Sequence, residues 1–456
     1  MHNFVFRRIR VLRQNYWFWP STMTLAAVVF GFFLPWLDSL FGTEWVRSVN
    51  FIRGTQVDGA RAILTTLAGA TLGVAGVAFS VTIVAVSFAS SNYGPRLIGN
   101  FMGDKTNQVV LGIFVATFVY CITVLSTVHA RLELAQSTQE AFVPQISVFF
   151  ALVLTLAAVG ALIGYIHHIP ESINIMNVTA QLGEKLRRSV ERMLDAEDQR
   201  QREQPDPVYV KTWTPAPPGA GTAILPAEAA GFLQQLDIES LVHLARDRKL
   251  QITLHRAPGE FLVPGETIMS AHPAENDDSA LMRRMRDCAT QGHNRTDLQD
   301  ILFLSDQLVE VLGRALSPGI NDPNTAMLCL NWLRAGLMAF AERPPAQPAR
   351  PDDPVLYRRV CFEDMLDRSF DQMRQYVAAD RTVTLHALGI LGELAVAASR
   401  RTMSEACIRQ MHRLATSARE LQRETAAHEE IDAALNDALQ TVGAADRRNG
   451  RMPAQE

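Results

Sequence analysis

Hydrophobic positions are distributed unevenly along this chain: four long apolar runs occupy the first third, and the remainder alternates apolar and polar residues mostly at helical spacing. The runs are Trp17 to Leu37, Ala62 to Ala89, Val109 to Val128 and Ile146 to Ile166. A hydrocarbon layer of about 30 Å is crossed by roughly 20 helical residues, so each run is long enough to span it. The second exceeds the requirement, which predicts a tilted helix or one that projects beyond the bilayer. It lies inside 34 residues, between Arg61 and Arg96, that carry no charge. Arg7, Arg8, Arg10 and Arg13 precede the first run, Arg96 and Lys105 separate the second from the third, and Lys185, Arg187, Arg188 and Arg192 follow the fourth. By the positive-inside rule those segments are cytosolic, which leaves residues 38–61 and 129–145 outside and both termini in the cytosol. Arg47, Arg53 and Arg61 fall on the outer side, offset by Asp38, Glu44 and Asp58.

Small and hydroxyl residues in the second run are sorted by face. At 100° per residue, Ala62, Thr65, Gly69, Gly73, Gly76, Ser80, Ser87 and Ser91 lie within about 40° of one line. A second small stripe, Ala68, Thr71, Ala75, Ala78, Thr82, Ala85 and Ala89, runs along roughly the opposite face, with Val74, Val77, Val81 and Phe88 as a bulky ridge between them. Such a helix is expected to have protein on two sides. Gly69-x-x-x-Gly73 suits close packing of two backbones. The same hydroxyls also suit the wall of a pore, with Ser90, Ser91, Asn92 and Arg96 at its cytosolic mouth.

Beyond residue 170 the pattern predicts a charged connecting helix over 171–204 that acts as a stalk, then a small β-rich module over 205–273. Its expected strands are Val208 to Trp213, Lys249 to His255 and Phe261 to Val263, with a short helix from Asp237 to Arg246. Amphipathic helices follow within 274–443: Thr296 to Leu316, Thr325 to Phe340, Val355 to Ala378, Val383 to Ser399, Ser404 to Leu421 and Ala427 to Val442. The polar tail, 444–456, is expected to be disordered. The fold class is therefore mainly α: a four-span transmembrane helical domain over 1–170, plus a cytosolic α+β region made of the β-rich module and a helical bundle.

Charge sharpens this division. Residues 1–170 hold 10 basic against 6 acidic residues, leaving 33 against 41 for the rest. A mildly acidic second half argues against broad nucleic-acid binding, which needs a basic face. The basic start and first apolar run do not fit a signal peptide, because the run is too long and Trp17, Trp19 and Trp36 bracket it as interfacial aromatics. The five cysteines, Cys121, Cys288, Cys329, Cys361 and Cys407, lack the paired spacing of a disulfide framework or a zinc site and read as buried thiols.

Several short segments carry a family resemblance: Gly59-Ala60-Arg61, Val74-Ala75-Gly76-Val77-Ala78-Phe79-Ser80, Ser90-Ser91, Pro95-Arg96-Leu97, Gln108-Val109-Val110-Leu111-Gly112 and Ile166-His167-His168-Ile169. The most specific is Ala315-Leu316-Ser317-Pro318-Gly319-Ile320-Asn321-Asp322-Pro323. With these segments the chain resembles, over nearly its whole length, a family of bacterial predicted membrane proteins, domain-of-unknown-function family twenty-two fifty-four. The resemblance implies a bacterial inner membrane and a cytosolic C-terminal domain, and it transfers no catalytic residues. Gly94 and Asn324 depart from the family pattern, where Ser and an aromatic residue are expected.

Candidate chemistry is sparse. Phosphate-loop, His-Glu-x-x-His and nucleophile-elbow motifs are absent, so no enzymatic activity and no cofactor are expected. His167 and His168 point about 100° apart on a helix and suit interfacial anchoring better than a shared metal. The apolar runs contain no Asp, Glu, Lys or Arg, which argues against a proton-coupled carrier. Ser317, Asn321 and Asp322 gather polar groups at a helix start. They read first as a helix-helix corner, with Asp322 as N-cap and Pro323 in the first turn, and otherwise as a ligand or subunit contact. Two functions follow. One is a homo-oligomeric channel or gated pore lined by the second span. The other is a membrane-anchored interaction or envelope-stress protein whose cytosolic domain binds a protein partner. Lipid bilayer contact and self-association are expected, and nucleic acid is not.

Overall fold

The computed structural model describes residues 17–41, 56–94, 104–129, 132–134, 137–139, 142–203, 221–274, 278–343, 354–358 and 360–448. The chain divides into two units, Met1–Asn177 and Val178–Glu456.

Among the described residues of the first unit, four helices are long and apolar enough to cross a membrane. They are α1 (Phe18–Phe41), α2 (Val57–Tyr93), α3 (Lys105–Thr127) and α4 (Gln145–Ile173), with a short antiparallel hairpin of β1 (Leu132–Leu134) and β2 (Ser137–Gln139) between the last two. The helices outrun their apolar cores because helix ends follow capping rather than hydropathy. Asp104 accepts a hydrogen bond from the Thr106 amide at 2.8 Å to start α3, and Gly94, at φ 121°, closes α2. The most enclosed of the four is α3, which touches the other three. Its close approach to α1 depends on glycine: a Cβ on Gly112 would lie 2.6 Å from the Met23 sulfur, and one on Gly31 would lie 2.7 Å from the Thr123 Cβ. One buried layer holds Leu64, Ala68, Tyr120, Val124, Val148 and Ala151. The other holds Ala75, Ala78, Val110, Phe114, Ala158 and Tyr165.

One expectation fails here. The first span was expected to end at Leu37 with no ionisable group inside it, yet α1 continues through Asp38, which is only 9% exposed. Its carboxylate accepts hydrogen bonds from the Ile146 amide at 3.1 Å, the Ser147 amide at 3.1 Å and the Ser147 hydroxyl at 2.8 Å. A carboxylate at the start of α4 satisfies amides that have no partner within the helix and lies at the favourable end of its dipole. Asp38→Ala should lower the stability of the first unit by roughly 1–3 kcal/mol, through orphaned amides at a buried helix start. Unfolding by sodium dodecyl sulfate in mixed micelles measures this, and an unchanged midpoint would contradict the capping role.

The second unit contains a β-rich part built from β3 (Ala223–Pro226), β4 (Gly231–Leu236), α6 (Ile238–Arg248), β5 (Gln251–Leu254), β6 (Phe261–Leu262), β7 (Thr267–His272), α7 (Ser279–Asp287), β8 (Ala289–Gly292) and β9 (Val355–Leu356). The strands form two sheets, ordered β3-β7-β5-β9 and β6-β4-β8. All pairings are antiparallel except β5 with β9. Leu225, Leu233, Leu241, Leu244, Ile252, Leu262, Met269 and Met285 form their shared core. The sheets extend past residue 273, because β8 and β9 complete them. Val355 therefore begins a two-residue strand, not the helix expected to start there; the expected strand Val208 to Trp213 lies outside the described residues.

The remaining helices are α8 (Ile301–Ala315), α9 (Pro323–Ala341), α10 (Phe362–Val377), α11 (Arg381–Ala397), α12 (Arg401–Leu421) and α13 (Thr425–Arg448). Residues 444–448 belong to α13, whose Ala445 is 3% exposed, so the expected disordered tail does not begin at 444. A larger correction concerns α5 (Ile175–Glu203). It is no bare stalk: Val178, Leu182, Leu186 and Val190, four residues apart, are buried. A Cβ on Gly336 of α9 would lie 2.9 Å from Leu186, and one on Gly183 would lie 2.3 Å from the Trp332 ring. The charged residues on the other side of α5 conceal this apolar face in the composition.

Candidate functional site

The two small-residue stripes of α2 have different surroundings within the chain. Ala68, Thr71, Ala75, Ala78, Thr82 and Ala89 are buried. They face α3 and α4, against which α2 packs. Every member of the other stripe, Ala62, Thr65, Gly69, Gly73, Gly76, Ser80, Ser87 and Ser91, is exposed. A Cβ built on Gly69, Gly73 or Gly76 meets nothing within 4 Å. These glycines therefore do not serve close packing within the chain. Thr71 satisfies its hydroxyl on the Leu67 carbonyl one turn back, at 2.7 Å, as a polar side chain in an apolar layer must, and the Thr82 hydroxyl lies 2.9 Å from the Ala78 carbonyl.

At the C-terminal end of α2, the Ser91 hydroxyl and the Asn92 amide both donate to the Phe88 carbonyl, at 2.9 and 2.8 Å. Arg96 lies outside the described residues. Nearby, the Tyr165 hydroxyl of α4 pairs with Thr82 at 2.7 Å and also donates to the Ala78 carbonyl. One turn further along α4, His168 Nε2 lies 2.5 Å from an Asp104 carboxylate oxygen, joining α4 to the start of α3. His167 instead faces Glu171 of its own helix at 3.4 Å. The two histidines thus have separate partners. Among the described residues no group of three His, Cys, Asp or Glu side chains is placed to hold a metal.

Ser317, Asn321 and Asp322 come together as a helix-helix corner. The Ser317 hydroxyl donates to the Arg314 carbonyl at 2.6 Å. Asp322 is the N-cap of α9, accepting from the Thr325 amide at 3.1 Å and the Thr325 hydroxyl at 2.6 Å. Asn321 adopts a left-handed conformation, φ 50°, and its amide donates to the Ser317 carbonyl at 2.9 Å. The Asp322 carboxylate thus occupies the helix start that an anion would need.

Among the described residues the most buried charges of the second unit are Asp300 and Asp306, 4% and 3% exposed. Arg295 donates to Asp300 at 2.7 Å and to Asp306 at 2.7 Å, and Arg368 of α10 donates to Asp306 at 2.8 and 2.7 Å. Asp300 also caps α8 through the Phe303 amide at 3.0 Å. Burial raises the Asp300 carboxyl above its usual range despite Arg295. Burial acts on Asp306 in the same direction, but hydrogen bonds from Arg368 and Arg295 outweigh it and hold the carboxyl below that range. The only sequence signal was a helix-start Asp and a second Asp on the apolar side of α8; the arginine on α10 is 62 residues away.

Two other groups have a local structural role. His255 Nε2 lies 2.8 Å from the Ser270 hydroxyl, a cross-strand pair in which Ser270 is 5% exposed and burial lowers the imidazole from its usual range. The half-buried Cys361 thiol, beside Asp364, is pushed up to about 12, mainly by burial. The Cys361 thiol is therefore protonated at neutral pH, where it is a poor nucleophile.

Residues 13–393 match a family described as "Predicted membrane protein (DUF2254)". The chain belongs to this family. Proteins of Mycobacterium bovis and Mycobacterium tuberculosis, each called an uncharacterized protein, are 30% identical to it over 306 residues, covering 66% of this chain and 55% of theirs. The chain thus spans about half the length of these mycobacterial relatives. No solved structure matches it. Membership agrees with the four apolar helices: this is a membrane protein.

Proposed function

We propose that the chain is one subunit of a homo-oligomeric channel in a bacterial cytoplasmic membrane, with both termini in the cytosol and α2 lining the path. The observation that supports this reading is the difference between the faces of α2. One small-residue face is used inside the chain; the other, equally small and richer in hydroxyls and glycine, is left exposed along Thr65, Gly69, Gly73, Gly76, Ser80, Ser87 and Ser91. Lipid alone does not require a glycine and serine face. Copies of α2 arranged about an axis do: glycine permits close approach, and hydroxyls replace part of the hydration of a permeating solute.

Ser80→Leu places a bulky apolar group on that face without touching the buried one. Solute or ion flux through liposomes containing the full chain should fall several-fold while assembly persists. Unchanged flux with intact partner binding by the second unit would overturn the channel reading in favour of a membrane-anchored interaction protein.

A further inference from the structure

We infer that Tyr165 is a latch that sets the position of α2, and so regulates the path proposed above; the inference rests on that channel reading. Among the described residues, hydrogen bonds tie α2 to the rest of the first unit at two levels. Near its start Arg61 donates to the Val128 carbonyl at 3.2 Å, and in its second half the Tyr165 hydroxyl engages both the Ala78 carbonyl and the Thr82 hydroxyl. These levels are about 30 Å apart at 1.5 Å per residue. Between them the buried side of α2 offers mainly Leu64, Ala68, Thr71 and Ala75. Small apolar contacts permit sliding and tilting, whereas a hydroxyl between two helices in a water-free layer fixes register.

Tyr165 is 4% exposed and Thr82 5% exposed, so water does not replace the bond when it breaks. On α4, His168 follows Tyr165 by one turn and engages Asp104 of α3. This stretch of α4 therefore holds α2 and α3 through adjacent turns, and Ser80, on the exposed stripe, lies between Ala78 and Thr82. Release at Tyr165 lets this part of α2 rotate or tilt.

The test uses the full chain in liposomes carrying Tyr165→Phe or, as a second isosteric change, Thr82→Val. Flux is measured alongside the thiol-labelling rate of a cysteine introduced by Ser80→Cys. Either variant is expected to change the labelling rate and the flux about fivefold, the effect of one buried hydrogen bond on a two-state equilibrium. Changed labelling in a chain with no flux in any form keeps the latch and removes the channel. Normal flux with labelling and flux unaffected by both variants removes the latch and keeps the channel.

Discussion

Asp306→Ala is expected to destabilise the second unit by roughly 1–3 kcal/mol, because it removes a buried acceptor shared by two arginines, while Arg295 keeps Asp300 as a partner and Arg368, 40% exposed, regains water. Asp306 takes both Arg295 and Arg368, and Arg295, 15% exposed, has little access to water in exchange. Asp306→Asn preserves shape and one acceptor and should cost less. Chemical denaturation of the full chain measures both, and a loss under about 1 kcal/mol for the alanine variant would show that the cluster relaxes to recruit solvent. The pH dependence has two opposed parts. The carboxyl of Asp306 is lower in the folded chain than in the unfolded one, so its contribution is complete above about pH 4 and is lost as pH falls through the lower folded value. Asp300 is raised on folding; its ionisation opposes folding above the raised value, and that penalty disappears as pH falls toward the unfolded value. In Asp306→Ala the acid-side loss from Asp306 should vanish and the opposing slope from Asp300 should shrink, because after burial the Asp306 charge is one of the causes that raise the Asp300 carboxyl.

Leucine substitutions on the two faces of α2 should separate folding from assembly. Ala75 is 4% exposed against α3 and α4, so Ala75→Leu overpacks the bundle and should cost roughly 1–3 kcal/mol in the stability of the single chain. Gly76, one residue later, has open space where its Cβ would sit. Gly76→Leu should leave single-chain stability within about 0.5 kcal/mol of the parent while weakening self-association about tenfold or more, since a leucine prevents close backbone approach. Mass measurements across a detergent dilution series, paired with unfolding midpoints, read both quantities. Equal effects from the two substitutions would contradict the division of faces.

Legibility in the sequence followed the range of the interactions. The four spans stand out because twenty consecutive apolar residues need no partner to be recognised, and both stripes of α2 are visible because 100° per residue is a local rule. Which stripe faces inward was not legible. Ala75 and Gly76 are both small, and the choice depends on Tyr165, Phe114 and Ala158, all far along the chain. Asp38 was invisible as a cap for the same reason, its partner Ser147 being 109 residues away. Strands β8 and β9 are too short and irregular to alternate, so the two sheets could not be completed from pattern alone. The helical spacing of Val178, Leu182, Leu186 and Val190 was legible but was masked by the surrounding charge.

The most direct measurement is the mass and symmetry of the full chain purified into lipid nanodiscs. A closed ring of several copies with α2 nearest the axis is the result expected here. A stable monomer carrying an exposed α2 face toward lipid would contradict it.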